Sequence, residues 1–406
     1  MKQSVNNNFK LLHLSTVAGN KGGGVSEVVN SLIRLQVNAK SNISLWFVGI
    51  KSELIQVIQR TKIDISKLSV MPWYVGVSGI IFFSKSKNKF DIIHQHGVFV
   101  PLSILTIFLR RWSKIIISPH GYLEPDKLKV SKIKKKIVLF LYENYNLKHA
   151  NCIVACSKKE AISLRNYGLN QPIGIIPNGI NNSMLKKKFS ITEISLFKKK
   201  YNINPDKKVL LFFARIHPWK GLDLFLKVVF DLQKEFRENN WMFLIAGSDE
   251  LDHTNELMIY INKKHISDIV KIIEPQYDNN RIITYDIASC FVLPSKGENF
   301  GISVIEALSR SVPVITTKNT PWVELETNNC GWWIDRNENA FKKTLLNLFL
   351  KDTVNLNEMG DRGKKLVKKN YTWMIVAAQF NNLYQWVMSD FDSNFKKNFK
   401  VLTDED

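Results

Sequence analysis

The stretch Pro294-Ser-Lys-Gly-Glu-Asn-Phe-Gly-Ile-Ser-Val-Ile-Glu-Ala-Leu308 decides how the chain is read. An apolar run, Cys290-Phe-Val-Leu293, precedes it and Pro313-Val-Ile-Thr-Thr317 follows it. Short apolar runs fit strands buried on both faces better than amphipathic helices, so the order is strand, tight loop, helix, strand. Gly297 and Gly301 frame the start of the helix. Without a Cβ they let a ligand approach the backbone, and the free N–H groups of a first helical turn suit an anion such as phosphate. Glu298 lies in the loop and Glu306 two turns into the helix, so both carboxylates can face one cleft at the carboxyl edge of a sheet. There they would accept hydrogen bonds from the hydroxyls of a sugar and a ribose. The plainer alternative is two solvated helix charges, Glu298 favouring the positive end of the dipole.

The same alternation runs through the chain. Residues 11–14, 43–48, 91–96, 114–118, 151–155 and 174–176 are apolar runs separated by helical stretches, and 208–214, 241–247 and 270–273 repeat the pattern. Such βα units build a parallel sheet, and 406 residues are enough for two domains with separate cores. The polar, Lys-rich stretch before Asp206 predicts a linker over residues 186–206, between domains at 1–185 and 207–370. Tyr371-Thr-Trp373 opens a last helix, so residues 371–406 are a terminal helix and a polar tail.

Several other residues are candidates for chemistry. Ala18-Gly-Asn-Lys-Gly-Gly-Gly-Val25, with Gly22, Gly23 and Gly24, is a flexible loop at the carboxyl end of a first strand, a ligand position in open α/β sheets. It has the spacing of neither a dinucleotide fingerprint nor a P-loop. His94 and His96 share a strand face, but with no third ligand nearby they suit a structural or substrate-binding role better than a metal. His120 stands in Ser118-Pro-His-Gly121 and is otherwise a capping or core histidine. In Arg215-Ile-His-Pro-Trp-Lys-Gly221, Arg215 and Lys220 straddle a proline turn after a strand. Two cations there can converge on a diphosphate without a metal ion, or are simply surface charges.

Composition bounds the partners. Apolar residues at 45% and charged residues at 23% are ordinary for a globular protein. Lys plus Arg (57) over Asp plus Glu (36) gives +21, an attraction for nucleic acid, anionic lipid or phosphorylated substrates, or a bias spread over solvated faces. Zinc-finger spacing, ribonucleoprotein aromatics and a basic zipper are missing, so no specific nucleic acid is expected. The lysines between Lys127 and Lys136, leading into apolar residues 137–141, would on a helix put cations opposite an apolar face, suited to an anionic membrane or to plain solvent exposure. Met1-Lys-Gln-Ser-Val-Asn-Asn-Asn8 lacks the apolar core of a signal peptide. The apolar stretches 71–83 and 97–109 are too short for a bilayer core of about 30 Å, so the expectation is a cytoplasmic protein, peripheral on a membrane at most. Cys152, Cys156, Cys290 and Cys330 are too few for a disulfide framework, and Trp332 and Trp333 are expected in the core.

The residues from Glu298 to Glu306, with Asn299, Phe300, Gly301 and Ile302, resemble the donor-site signature of family 4 glycosyltransferases of the GT-B fold. So do the Arg215/Lys220 loop, the Ser-Pro-His-Gly segment and Pro177-Asn178-Gly-Ile180, so the resemblance covers most of the chain. Thr320-Pro-Trp322 and Cys330-Gly-Trp-Trp333 look like members that assemble bacterial polysaccharide and O-antigen. The resemblance implies an α/β chain with two Rossmann-like doubly wound domains facing a central cleft, the last helix returning to the first domain. It implies a retaining, metal-independent transfer of a hexose from a UDP- or GDP-sugar to a glycan acceptor, often lipid-linked, without a cofactor. In it, Arg215 and Lys220 hold the diphosphate, Glu298 orients the sugar, Glu306 holds the ribose and His120 lies beside the donor sugar. Pro275, in Glu274-Pro-Gln-Tyr277, lies where relatives offer backbone to the base, and Gly23, Gly24, Asn178, Asn299, Phe300, Gly301 and Ile302 complete the donor site.

No carboxylate pair stands out as nucleophile and acid, which agrees with a front-face route in which the departing phosphate takes the acceptor proton. Asp390-Phe-Asp392 imitates the metal-binding acidic motif of GT-A enzymes by chance. Two other readings stay open: a nucleotide-sugar epimerase or phosphorylase on the same fold, and an inactive sugar-nucleotide or polyanion-binding protein.

Overall fold

A computed structural model of the protein describes residues 9–15, 23–38, 42–47, 68–72, 90–100, 102–129, 131–249, 251–395 and 399–402. The chain divides into two units, Met1–Gly179 with Trp373–Asp406, and Ile180–Thr372. The first holds parallel strands β1 (Lys10–Ser15), β2 (Asn42–Phe47), β3 (Leu68–Pro72), β4 (Ile92–His96), β5 (Lys114–Ser118), β6 (Cys152–Ala155) and β7 (Ile173–Ile175). The second holds β8 (Lys208–Phe213), β9 (Trp241–Ala246), β10 (Val270–Ile273), β11 (Cys290–Leu293), β12 (Val314–Thr317) and β13 (Gly331–Ile334), again all parallel. A last strand, β14 (Lys400–Leu402), runs antiparallel on β7.

The strand orders are β3-β2-β1-β4-β5-β6-β7 and β10-β9-β8-β11-β12-β13. Both are doubly wound: the chain moves outward from a central strand, returns, and moves out the other way. The reversals fall between β1 and β4 and between β8 and β11, and ligands of such sheets sit outside the carboxyl ends of the strands there. Helices cover both faces, so the central strands are buried throughout, as the unbroken apolar run Trp241-Met-Phe-Leu-Ile-Ala246 requires. In the first unit the helix Trp373–Met388 packs Val376, Phe380, Leu383 and Val387 against Val28, Val29, Leu32 and Ile33 of the helix Gly23–Asn38.

Four sequence expectations are corrected. Residues 186–206 are not a linker: they carry the helix Ile191–Lys200, with Ser190 and Glu193 forming a capping box. Phe197, Tyr201 and Ile203 are buried in the second unit, and only the narrowness of that apolar stripe made the lysine-rich stretch look unstructured. Residues 180–185 and 371–372 also belong to the second unit, where Tyr371 packs between Phe300 and Trp322. The lysine-rich segment is not one amphipathic helix. It breaks into Pro125–Lys129 and Lys132–Val138, with Ser131 left-handed at φ 54°, and passes into a π-helical turn, Leu139–Glu143. Trp332 and Trp333 are half-buried rather than core, because β13 is an edge strand; they line a cavity of about 320 Å³ with Lys318 and Lys343. The four cysteines are free and buried. No helix among the described residues is long and apolar enough to cross a membrane.

Candidate active site

At the reversal of the second sheet, two loops are joined by their own backbones. Beyond β8, His217 Nδ1 accepts from the Trp219 N–H at 3.0 Å and caps the turn Pro218–Lys220, which Gly221 ends at φ 79°. Beyond β11, Lys296 N–H donates to the Trp219 carbonyl at 2.9 Å, and Trp219 Nε1–H donates to the Gly297 carbonyl at 2.9 Å. This places Lys220 Nζ 2.5 Å from Glu298 Oε1, with side chains only 13% and 12% exposed. Ser295 Oγ donates to the same oxygen at 2.5 Å, so Oε1 of Glu298 has two partners. Arg215 is exposed at the start of the β8 loop. Arg336 Nε donates to the Pro294 carbonyl at 3.1 Å, putting a further guanidinium, unrecognised in the sequence, behind the Gly221 turn.

Gly301, at φ 85°, begins the helix Ile302–Ser309. Phe300 is buried against Trp322, whose Nε1–H donates to the Phe300 carbonyl at 2.5 Å, so Phe300 anchors the loop from behind. Asn299 and Ile302 stand half-buried on either side. Glu306 is buried and is not a free acceptor: Arg281 forms an ion pair with it, and the Tyr285 hydroxyl donates to Oε2 at 2.8 Å. The Tyr285 ring in turn stacks on Phe213 at the end of β8, with centroids 5.3 Å apart. Arg281 and Tyr285 share a face of the helix Asp278–Asp286, and that four-residue spacing was the only signal in the sequence that could have found them. Pro275 is half-buried in a segment held by the Tyr201 hydroxyl, which donates to Glu274 at 2.6 Å, and by Gln276 Nε2–H, which donates to the Glu274 carbonyl at 2.7 Å.

In the first unit the reversal gathers histidines. His120 follows β5 in a left-handed turn, φ 53°, continued by Gly121 at φ 78°. The buried carboxylate of Glu160 holds that turn, accepting from Gly121 N–H at 2.6 Å and Cys156 N–H at 2.7 Å; nothing in the sequence had marked Glu160. His120 Nε2 lies 3.2 Å from His96 Nδ1, His96 Nε2 lies 3.0 Å from His13 Nδ1, and His13 Nε2 lies 2.8 Å from Gln36 Oε1. His94 bonds the Tyr384 hydroxyl and Ser118 Oγ, each at 2.8 Å.

The third imidazole that the sequence withheld is therefore present: ligand atoms of His13, His94 and His96 lie within 4.8 Å of one another. All six ring nitrogens of the three already have protein partners, so the cluster is built as a hydrogen-bond network. Gly23 and Gly24 open the helix after β1, while Gly22 and the rest of its loop lie outside the described residues. Asn178 is half-buried just before the chain leaves the first unit. His120 thus joins a network within one unit, and Arg215, Lys220, Glu298 and Glu306 gather at one sheet reversal within the other.

Burial lowers the pKa of His13 to about 4 and those of His94 and His96 well below 6.5; His120 is lowered to about 4 as well, though its outer edge is open. These histidines are neutral at pH 7. A pKa lower in the folded than in the unfolded state gives stability that is complete above 6.5 and is lost as pH falls towards 4. For the fully enclosed His13 the expected loss from pH 7 to pH 5 is about 2 kcal/mol. Denaturant unfolding across that window, above the range where ordinary carboxylates titrate, should show a midpoint falling with acid; a flat profile would contradict the enclosed neutral cluster.

Known proteins match the chain in both of its units. Residues 193–366 match the family model described as glycosyl transferases group 1, and residues 22–183 that of glycosyltransferase family 4. The chain is a glycosyltransferase of the GT-B fold. It is 24% identical over 268 residues to the capsular polysaccharide biosynthesis glycosyltransferase CapM of Staphylococcus aureus, covering 65% of this chain and 69% of CapM. It is 23% identical over 306 residues to the O-antigen biosynthesis glycosyltransferase WclY of Escherichia coli, covering 73% of this chain and 79% of WclY. HepE of Anabaena, solved in complex with UDP and glucose, has the same fold with a TM-score of 0.71, over 93% of this chain and 99% of HepE at 15% identity.

Proposed function

We propose that the chain is a retaining, metal-independent member of glycosyltransferase family 4. It moves a hexose from a UDP- or GDP-sugar to a hydroxyl of a growing, lipid-linked cell-surface glycan. The observation that carries this reading is the Lys220–Glu298 pair, held between two joined loops at the sheet reversal with Arg215 beside them on the chain. As the bond to the sugar breaks, charge builds on the diphosphate, and fixed cations and helix N–H groups lower the barrier without reorganising. Lys220 and Arg215 do this on one side and the amides following Gly301 on the other, with Asn299, Phe300 and Ile302 shaping that turn.

Glu298 orients the sugar through its second oxygen. Glu306, already fixed by Arg281 and Tyr285, meets the ribose, and the Pro275 segment meets the base. In this reading His120, Asn178, Gly23 and Gly24, all in the first unit, meet substrate. HepE, solved with UDP and glucose, supports the donor class, and the capsular and O-antigen relatives support the acceptor class.

The test is thermal stabilisation by UDP and GDP separately, because a ligand that binds only the native state raises its melting point. At about 100 times Kd one nucleotide should raise Tm by about 5–10 °C. The Arg215→Ala variant should show a smaller shift. No shift with either nucleotide at saturation would overturn the assignment of the donor site.

Contact with an anionic membrane belongs to the same reading. Ile133, Ile137, Phe140 and Leu141 are exposed among Lys132, Lys134, Lys135 and Lys136. Apolar side chains ringed by cations suit an interface with acidic lipid. The protein should sediment with vesicles containing phosphatidylserine and not with phosphatidylcholine alone. The F140S/L141S double variant should lose about tenfold or more in binding; unchanged binding would remove this surface from the account.

A further inference from the structure

Histidines in the interior of a parallel sheet need a reason, since aliphatic residues pack there without polar atoms to satisfy. In this sheet His13 pairs with His94 across β1 and β4, Ser15 pairs with His96, and His120 follows the adjacent β5. Gln36 comes from the helix after β1, and Tyr384 from the helix Trp373–Met388 that returns from the end of the chain. Five elements, three strands and two helices, therefore meet at one polar cluster whose outermost member is His120.

The direction of each hydrogen bond follows from its neighbour. Gln36 Oε1 carries no hydrogen, so the proton of that bond is on His13 Nε2. A neutral imidazole has one N–H, which leaves His13 Nδ1 as a lone pair, and His96 Nε2–H donates to it. The same rule leaves His96 Nδ1 bare, and His120 Nε2–H donates to it. Neutrality is imposed by the surroundings: the rings of His13, His94 and His96 are fully enclosed, with no carboxylate among their hydrogen-bond partners. The rings also lie close, His94 tilted against His96 at 4.1 Å and His96 stacked on His120 at 5.5 Å between centroids, so a proton added to one repels the next. His94 stands beside this chain of hydrogen bonds, bonded to the Tyr384 hydroxyl through Nδ1 and to Ser118 Oγ through Nε2.

We infer that Gln36, His13 and His96 form a one-way hydrogen-bond chain that fixes His120 as its Nε2–H tautomer and leaves Nδ1 as a bare acceptor for a substrate hydroxyl. Gln36, His13 and His96 are positioning residues and His120 is the group that meets the ligand. The inference rests on the proposed function only for the identity of that ligand, a sugar hydroxyl; the tautomer itself is a property of the free protein. Two features of the fold serve it. The left-handed turn at His120 and the Glu160 clamp on Gly121 hold the ring edge against His96. An acceptor of fixed polarity also selects for a hydroxyl that donates, where an imidazole free to change tautomer would accept either partner.

The test is histidine-selective 15N labelling of the full chain, with long-range 1H–15N correlation at pH 7 and no ligand. His13→Gln, His96→Gln and His120→Gln identify their own resonances by loss of a signal. His13, His96 and His120 should each show a protonated Nε2 and an unprotonated Nδ1. A protonated Nδ1 on any of the three overturns the chain. Gln36→Met removes the acceptor that sets the polarity, and His120 should then lose its pure Nε2–H signature and show a tautomer mixture; an unchanged His120 would also overturn the chain. If Gln36→Met does not fold, the wild-type spectrum still decides. The spectrum needs no donor, so failure of nucleotide binding and failure of this inference are read in separate experiments.

Discussion

Replacing Lys220 with alanine is expected to lower kcat about a hundred- to a thousand-fold while the protein stays folded. The magnitude is that of removing one fixed donor from the place where transition-state charge appears. Lys220 can exert it because its ammonium is almost enclosed and its neighbour Trp219 ties the two loops together through both its carbonyl and its indole. A second consequence separates catalysis from stability. Without Lys220, Glu298 keeps among the described residues only the Ser295 hydroxyl for a carboxylate 12% exposed, and a poorly solvated charge left unpaired destabilises by about 1–3 kcal/mol. The double variant K220A/E298Q removes that charge, so its melting point should return towards wild type. Its transfer rate should not. Such a cycle isolates the pair from its surroundings. Activity of Lys220→Ala within a few-fold of wild type would sink the assignment of this lysine to the diphosphate.

What could be read in advance follows the range of the interaction. The strands were visible because a buried parallel strand is an unbroken apolar run, and β11 and β9 are that and little else. The loops that carry Arg215, Lys220 and Glu298 were visible because turn residues and charges lie within a few positions of one another. The pairing of Lys220 with Glu298, 78 residues apart, depends on the order of the strands, which no local pattern carries.

The same distance hid His13, 83 residues from the His96 it bonds, and Tyr384, 290 residues from His94. A single histidine in an apolar strand looks like any other until its neighbour across the sheet is known. The partners of Glu306 were hidden for the complementary reason: Arg281 and Tyr285 sit on a helix whose facing side is chosen by packing. Ser190 and Glu193 were readable as a capping box, but the lysines around them pointed to a polar connector.

Gly221→Ala should be strongly disruptive, for two separate reasons. Gly221 has φ 79°, where a side chain costs roughly 1–2 kcal/mol. A Cβ there would also stand 2.2 Å from the Pro294 carbonyl oxygen, a backbone atom at the end of β11 that cannot swing aside. Relief requires the two loops to part, which breaks the Lys296–Trp219 and Trp219–Gly297 hydrogen bonds, each worth about 1 kcal/mol net, and draws Lys220 away from Glu298. Gly168 supplies the comparison: its φ is 95°, yet a Cβ there meets nothing within 4 Å. Gly168→Ala should therefore show the backbone cost alone, a fall in Tm of about 2–8 °C, with nucleotide stabilisation intact. Gly221→Ala should fall further and lose most of the shift with UDP or GDP. Equal melting points for the two variants, with the nucleotide shift kept in both, would mean that the loops separate at little cost and that their junction does not set the geometry of the donor site.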